Sequence, residues 1–336
     1  MPKPLAEQVV VITGASSGIG RETAIELAMR RASLVLAARN QDALEEVSRE
    51  VERLGGTALP VVTDVSDWTQ LEHLAQQAVA RFGRIDTWIN DAAVIEYATV
   101  ADTTPDESAR IVRVNLLGQI DGSMAALPEL TRQGQGMLVN VSSQVAIRSV
   151  PFLAVYSATK HGIKGFTEAL RLELAHTHPG ITVTLILPGS INTPFFTHAR
   201  SKLGSLPGAI PPVYEPNVVA QAIVYALEHP RRDVYVGGAG RLLPLAEALA
   251  PGLLDRLMLA DGLFFRLQRS DRPDNGRDNL FASPAGTGAT TGPWGQRSVS
   301  TSLTTRALWL HPRRLGLAMG GTLLGLLALL RWGGRG

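Results

Sequence analysis

Tyr156 and Lys160 stand four residues apart in the stretch VYSATKHGIKGF, residues 155–166. If this stretch is helical, that spacing points both side chains the same way and brings the ammonium close to the phenol. A nearby cation favours the phenolate, lowering a tyrosine pKa from its usual value of about 10, and a tyrosine tuned in this way can pass a proton near neutral pH. Taken alone, the pair also reads as a packed ring beside a solvated ammonium.

A second group of residues fits the handling of an anion. The segment TGASSGIG, residues 13–20, carries Gly14, Gly18 and Gly20 around Ser16, Ser17 and Ile19, and it leads directly into the helical pattern RETAIELAMRR. Glycines at this spacing let the backbone turn tightly and approach a pyrophosphate, whose charge is favoured at a helix N-terminus. After the next apolar run, LVLAARN, an NAD-specific site would place an acid against the ribose 2′-hydroxyl, whereas this chain has Ala38 and Arg39. Arginine suits a 2′-phosphate, so NADP(H) is favoured over NAD(H); an exposed residue leading into a helix is the alternative. Arg21 is positioned to add charge. Asp64 and Val65 follow the third apolar run, where a carboxylate can accept from an adenine amino group or serve a turn.

Positioning these groups needs a scaffold. Apolar, β-prone runs at residues 9–13, 34–38, 58–63, 85–90, 137–142, 181–187 and 233–237 alternate with helical patterns. Near-continuous apolarity indicates strands buried on both faces, and right-handed crossovers then place helices on each side. The expected fold is a Rossmann-type doubly wound α/β sheet of seven mostly parallel strands. Residues 1–240 would form the dinucleotide-binding and catalytic domain, with the proline-rich stretch 190–216 as a lid over the site. Residues 241–270 read as an amphipathic helical extension, 271–304 as a flexible linker and 305–336 as a hydrophobic tail.

The 336 residues include no cysteine, which excludes disulfides and thiol chemistry, and the seven histidines form no metal-ligand motif. Residues 279–336 hold six arginines and no acid, leaving residues 1–278 at −4 within a chain of net charge +2. An acidic body without a basic stripe argues against a nucleic-acid partner. The amino terminus has too short an apolar run for a secretory signal, so the catalytic part is expected in the cytoplasm. The uncharged segment 315–330 lies between Arg313–Arg314 and Arg331, with Trp309 and Trp332 outside it. It reads as a membrane anchor, an interfacial helix or a soluble packing helix, since sixteen residues of helix reach only about 24 Å.

The combination of TGASSGIG and YSATK resembles the short-chain dehydrogenase/reductase family over roughly residues 7–240. The resemblance implies a catalytic tetrad of Asn115 in VRVNLLG, Ser143 in NVSSQ, Tyr156 and Lys160, with Ser143 thirteen residues before the tyrosine. It further implies that Asn90, Pro188, Gly189 and Thr193 belong to the cofactor site, Thr193 as a ligand of the carboxamide. Where the family has Asn-Asn-Ala-Gly, this chain reads NDAA at 90–93, so Asp91 and Ala93 depart from the pattern. By resemblance, Tyr156 would protonate a carbonyl oxygen, Ser143 would stabilise its charge, Lys160 would tune the tyrosine and hold ribose hydroxyls, and Asn115 would hold a relay water. The implied protein is an NADP(H)-dependent carbonyl reductase or alcohol dehydrogenase, a homodimer or homotetramer joined through the helices carrying Asn115 and Tyr156. Phe195, Phe196, Leu203, Leu206 and Ile210 in the lid suggest an apolar substrate. A dinucleotide-sensing binding protein, or an isomerase or dehydratase on the same scaffold, are the competing readings.

Overall fold

Seven apolar segments become one parallel sheet in the computed structural model, which describes residues 2–237, residues 242–302 other than 275, 285 and 287, and residue 305. The strands are β1 Val9–Thr13, β2 Ser33–Ala38, β3 Thr57–Val62, β4 Thr87–Asn90, β5 Gly136–Val141, β6 Ile181–Pro188 and β7 Asp233–Val236. Their order is β7-β6-β5-β4-β1-β2-β3, and every pairing is parallel. The expected doubly wound sheet is therefore present, with each strand within about two residues of its apolar run. The order reverses between β1 and β4, and a sheet wound this way opens a crevice beyond the carboxyl ends of those strands.

Two apolar layers hold the sheet. On one face Ile12, Leu34, Leu36 and Ile186 pack with α1 Gly18–Ala28, α2 Gln41–Arg53 and α7 Pro216–Glu228. On the other, Val11, Val35, Trp88 and Leu138 meet α3 Trp68–Phe82, α4 Pro105–Val112, α5 Gly118–Gln133 and α6 Ala154–Thr177. Local chemistry sets the helix ends. Asn40 and Asp67 accept backbone N–H groups at the starts of α2 and α3, and Thr104 with Glu107 forms a reciprocal capping box on α4. Gly83 and Gly134 end α3 and α5 in the left-handed region, at φ of 76° and 67°.

The stretch 190–216 carries four short strands joined by turns instead of a regular helix. Ser190–Ile191 pairs with Val213–Tyr214, and Arg200–Ser201 pairs with Glu96–Tyr97 beside the site. The extension expected as helical contains α8 Leu242–Leu249, α9 Pro251–Leu259 and α10 Leu263–Leu267. Composition suggested that the stretch after it would lack stable structure. Instead Arg269–Pro273 pairs antiparallel with Ser205–Pro207, Leu280 is 0% exposed, and Ser298–Val299 pairs with Val213–Tyr214. The hydrophobic segment 315–330 lies outside the described residues; among the described residues no helix is long and apolar enough to cross a membrane.

Candidate active site

Helix α6 brings Tyr156 and Lys160 to one face, as their spacing required, with the Lys160 Nζ 5.5 Å from the Tyr156 ring centroid. Two hydrogen bonds fix the lysine: its Nζ donates to the Val141 carbonyl at 3.0 Å, and Ser142 Oγ donates to the Lys160 carbonyl at 2.9 Å. Ser143 follows β5 and caps the short turn Gln144–Ala146, its Oγ accepting from the Val145 N–H at 3.3 Å and donating to the Pro188 carbonyl at 3.4 Å. Asn115 is fully buried within the single π-helical turn Arg113–Leu117 that joins α4 to α5. Its amide exchanges two 2.8 Å hydrogen bonds with the backbone of Val94, which ties the chain after β4 to this turn. Its side chain does not line the cavity that Ser143, Tyr156 and Lys160 share.

The charges here differ from the expectation that Lys160 lowers the Tyr156 pKa. Burial raises the phenol, the Asp91 carboxylate raises it further, and a hydrogen bond with Ser143 pulls the other way. Burial also lowers Lys160 to about 8 against the pull of Asp91. Asp91, one of the two residues that depart from the family pattern, is pushed up to about 7 by burial, opposed by Lys160 and by a hydrogen bond from the Gly20 backbone. An ammonium near pKa 8 and a carboxylate near 7 therefore face one buried phenol.

The glycine turn has the geometry that its sequence implies. Gly14 and Gly18 sit at φ of 75° and 56°, and a Cβ on Gly14 would lie 2.9 Å from the Ala92 backbone. Gly14, residues 16–19, Arg39, Asp64 and Val65 all line the same cavity as the tyrosine, as do Pro188, Gly189 and Thr193. Gly20 lies behind the turn, where a Cβ would collide with the Gly14 carbonyl oxygen. Asn90 is placed differently. Its side chain joins a buried network with Trp88, Gln119, Ser123 and Asn140 beneath the cavity, away from its lining. Arg21 is held by Glu46 and Glu50, so its charge is matched within the fold. Asp64 pairs with Arg110 at 2.8 Å; burial would raise its pKa, but hydrogen bonds from Arg110 and Ser66 outweigh this and hold it low.

Sequence reasoning missed a wall of this cavity. Asn279, Ser283, Pro284 and Gly288 line it, and Arg39 donates to the carbonyls of Asn279 at 2.6 Å and Phe281 at 3.2 Å. These lining residues are small or polar, and the Arg39 hydrogen bonds end on backbone carbonyls, which leaves no pattern of side chains to read. On the opposite side the lid supplies Phe195, Phe196 and Ile210, and the extension supplies Leu257, Met258 and Phe264. Leu203 packs against the cluster that contains Phe196 and Val213, and Leu206 is buried on the strand paired with Arg269–Pro273; neither lines the cavity. The cavity volume is about 650 Å³. That falls within the range of cofactor and substrate sites, about 300–1,000 Å³.

The seven-stranded parallel sheet agrees with comparisons to known proteins. The family model for short chain dehydrogenases matches residues 8–204. An uncharacterized oxidoreductase, YxnA of Bacillus subtilis (strain 168), is 39% identical over 85% of this chain and 80% of its own length. Dehydrogenase/reductase SDR family member 7B of Bos taurus is 37% identical over 74% of this chain and 80% of its own. Among solved structures, an alcohol dehydrogenase from the archaeon Thermococcus sibiricus complexed with 5-hydroxy-NADP superposes with a TM-score of 0.60 at 26% identity, covering 68% of this chain and 95% of that one. The chain belongs to the short-chain dehydrogenase/reductase family. It is an oxidoreductase with the dinucleotide-binding fold of that family.

Proposed function

We propose that this protein interconverts a carbonyl and an alcohol on an apolar substrate, using NADP(H), with Tyr156 as general acid/base. The observation that carries this reading is that Ser143, Tyr156 and Lys160 line the same cavity as the glycine turn and Arg39. The positive-φ glycines leave the backbone free of Cβ atoms where a pyrophosphate would approach, and Arg39 offers guanidinium donors suited to a 2′-phosphate. Bound there, the nicotinamide supplies or accepts the hydride. Burial keeps the Tyr156 hydroxyl protonated, which suits donation to a carbonyl oxygen in the reductive direction. Ser143 adds a hydrogen bond to that oxygen from a position fixed by the Gln144–Ala146 turn. Lys160, anchored by the Val141 carbonyl, holds its charge beside the ring. The aromatic and aliphatic side chains of the lid and extension favour an apolar substrate.

Family members commonly self-associate through the helices that carry the catalytic residues, and Met124 on α5 and Leu172 on α6 stand exposed. A homodimer or homotetramer follows as part of this reading, and sedimentation of the purified protein checks it. Membrane attachment through 315–330 remains part of the proposal, so the protein is assayed in detergent. Tyr156→Phe is expected to retain NADPH binding while lowering kcat by about 10²–10⁴-fold in carbonyl-dependent NADPH oxidation. Turnover that persists unchanged removes Tyr156 from the mechanism. If no member of a carbonyl and alcohol panel supports multiple turnovers while NADPH still binds, the dinucleotide-sensing reading takes over.

A further inference from the structure

The segment after the helical extension lines the cavity and fastens to the glycine turn, the end of β2, α4 and the lid. From the glycine turn, the Gly18 N–H donates to the Ala289 carbonyl at 3.0 Å, and Arg21 donates to the Gly288 carbonyl. From the end of β2, Arg39 donates to the carbonyls of Asn279 and Phe281, and Asn40 Nδ2 donates to those of Pro284 at 2.7 Å and Gly286 at 2.9 Å. From α4, Arg110 Nε donates to the Leu280 carbonyl at 2.9 Å. From the lid, the Asn192 carbonyl accepts from the Gly292 N–H at 3.1 Å, and its Oδ1 accepts from the Trp294 N–H at 2.9 Å.

These fastenings are backed by packing. Leu280 is fully buried in the apolar layer that contains Val65 and Val114, and Asp278 pairs with Arg200 at 2.9 Å. Trp294 sits edge-on to Phe196 of the lid, with ring centroids 6.3 Å apart. Gly288 is required for the approach, because a Cβ there would collide with the Ser16 carbonyl oxygen. The segment nevertheless leaves the cavity open. Asn279, Ser283, Pro284 and Gly288 face the same 650 Å³ void as Gly14, Arg39 and Asp64. A strand of chain that walls a void of this size without filling it has the form of a cover for a ligand.

We propose that the described residues between 278 and 294 form a clasp that completes the dinucleotide site, closing over a bound NADP(H) and slowing its release. The inference rests on the NADP(H) reading above. On nucleotide binding Gly18 and Arg39 turn from the segment's carbonyls to the phosphates, while Asn40, Arg110 and the buried Leu280 keep the clasp fastened, so opening requires these hydrogen bonds to break together with withdrawal of Leu280. Release is then limited by opening of the clasp, a gating step of the kind that sets turnover in many enzymes.

The test uses the full chain in detergent, with NADPH as the probe. Binding is followed by energy transfer from tryptophan to NADPH, release by stopped-flow chase, and clasp position by trypsin cleavage after Arg297. Gly288→Val is designed to prevent docking on the glycine turn, and Leu280→Ser to remove the buried anchor without touching a fastening donor. Both variants are expected to raise the NADPH release rate and Kd by about tenfold or more with little change in association, as is usual when a closing contact is lost. NADPH is expected to slow cleavage after Arg297 in the unmodified protein and to protect both variants less. A Kd that falls in the variants shows that the segment competes with the nucleotide and overturns the clasp. Release that stays unchanged while cleavage becomes faster also overturns it, and leaves the functional reading intact. If neither NADPH nor NADH binds any form, the functional reading fails and the clasp fails with it.

Discussion

At the level of single residues, the feature that sets this site apart is the carboxylate at 91. Half-buried beside Tyr156 and Lys160, Asp91 has its pKa raised from 3.8 to about 7, while Lys160 has its lowered from 10.5 to about 8. The sign of each contribution follows from proton linkage. Between about pH 4 and 7 the folded state binds a proton on Asp91 that the unfolded state has released, so stability falls as pH rises through that window. Between about 8 and 10.5 the unfolded state holds a proton on lysine that folded Lys160 has lost, so stability rises again. The nucleotide-free protein is therefore expected to show a stability minimum near pH 7–8 arising from this pair. Asp91→Asn removes the acidic limb, so its advantage in Tm over the unmodified protein should be larger at pH 8 than at pH 4. Each kcal/mol corresponds to about 2–4 °C in a domain of this size. Thermal melts across pH check this, and parallel Tm curves for the two proteins would contradict it.

At the scale of elements, the close approach of α5 to β4 determines where several polar groups point. Gly122 on α5 faces β4 so tightly that a Cβ would collide with Asn90 Oδ1 and lie 3.1 Å from Trp88 Nε1. Those atoms are bonded to each other at 2.8 Å, and Asn90 continues the network to Asn140, which donates to Thr167 on α6 at 3.0 Å. Gly122→Ala is therefore expected to destabilise the protein by about 1–3 kcal/mol through overpacking and loss of the network. Urea unfolding measures the loss, and an unchanged midpoint would show that α5 can shift to accept a methyl group. The strands and the helix bearing Tyr156 and Lys160 were legible in the sequence because burial on both sheet faces leaves apolar runs and a helix leaves a period. The direction of Asn90 was not, since a polar residue at the end of a strand reads the same whether it faces a ligand or a buried amide. Nor was the pairing of Asp64 with Arg110, which lies 46 residues further along the chain. The segment after the helical extension was the least legible of all, because most of its hydrogen bonds to the body end on backbone carbonyls, which every residue carries.

At the scale of the whole molecule, the additions to the core sheet surround one cavity and give its walls different characters. The glycine turn, Arg39 and the crossing segment make a polar wall, whereas the lid and the helical extension make an apolar one. The extension also carries apolar groups outward, with Leu245, Leu249 and Leu253 exposed at 55%, 76% and 57%, while Leu243 on α8 and Leu254 and Leu257 on α9 line the cavity. Its polar side is drawn to the body by Arg148, which pairs with Glu247 and Asp255. An apolar rim continuous with an apolar wall should reward substrate length. Burying one methylene contributes about 0.8 kcal/mol, so kcat/KM along a series of straight-chain ketones should rise about fourfold per carbon until the wall is covered. Leu257→Ser and Phe264→Ser should flatten that rise while leaving the shortest ketones little affected, because only the longer chains reach these side chains. Initial rates across the series, with NADPH saturating, provide the measurement. A slope that is flat in the unmodified protein, or unchanged in both variants, would mean that the substrate does not lie against the extension and that its leucines serve another surface.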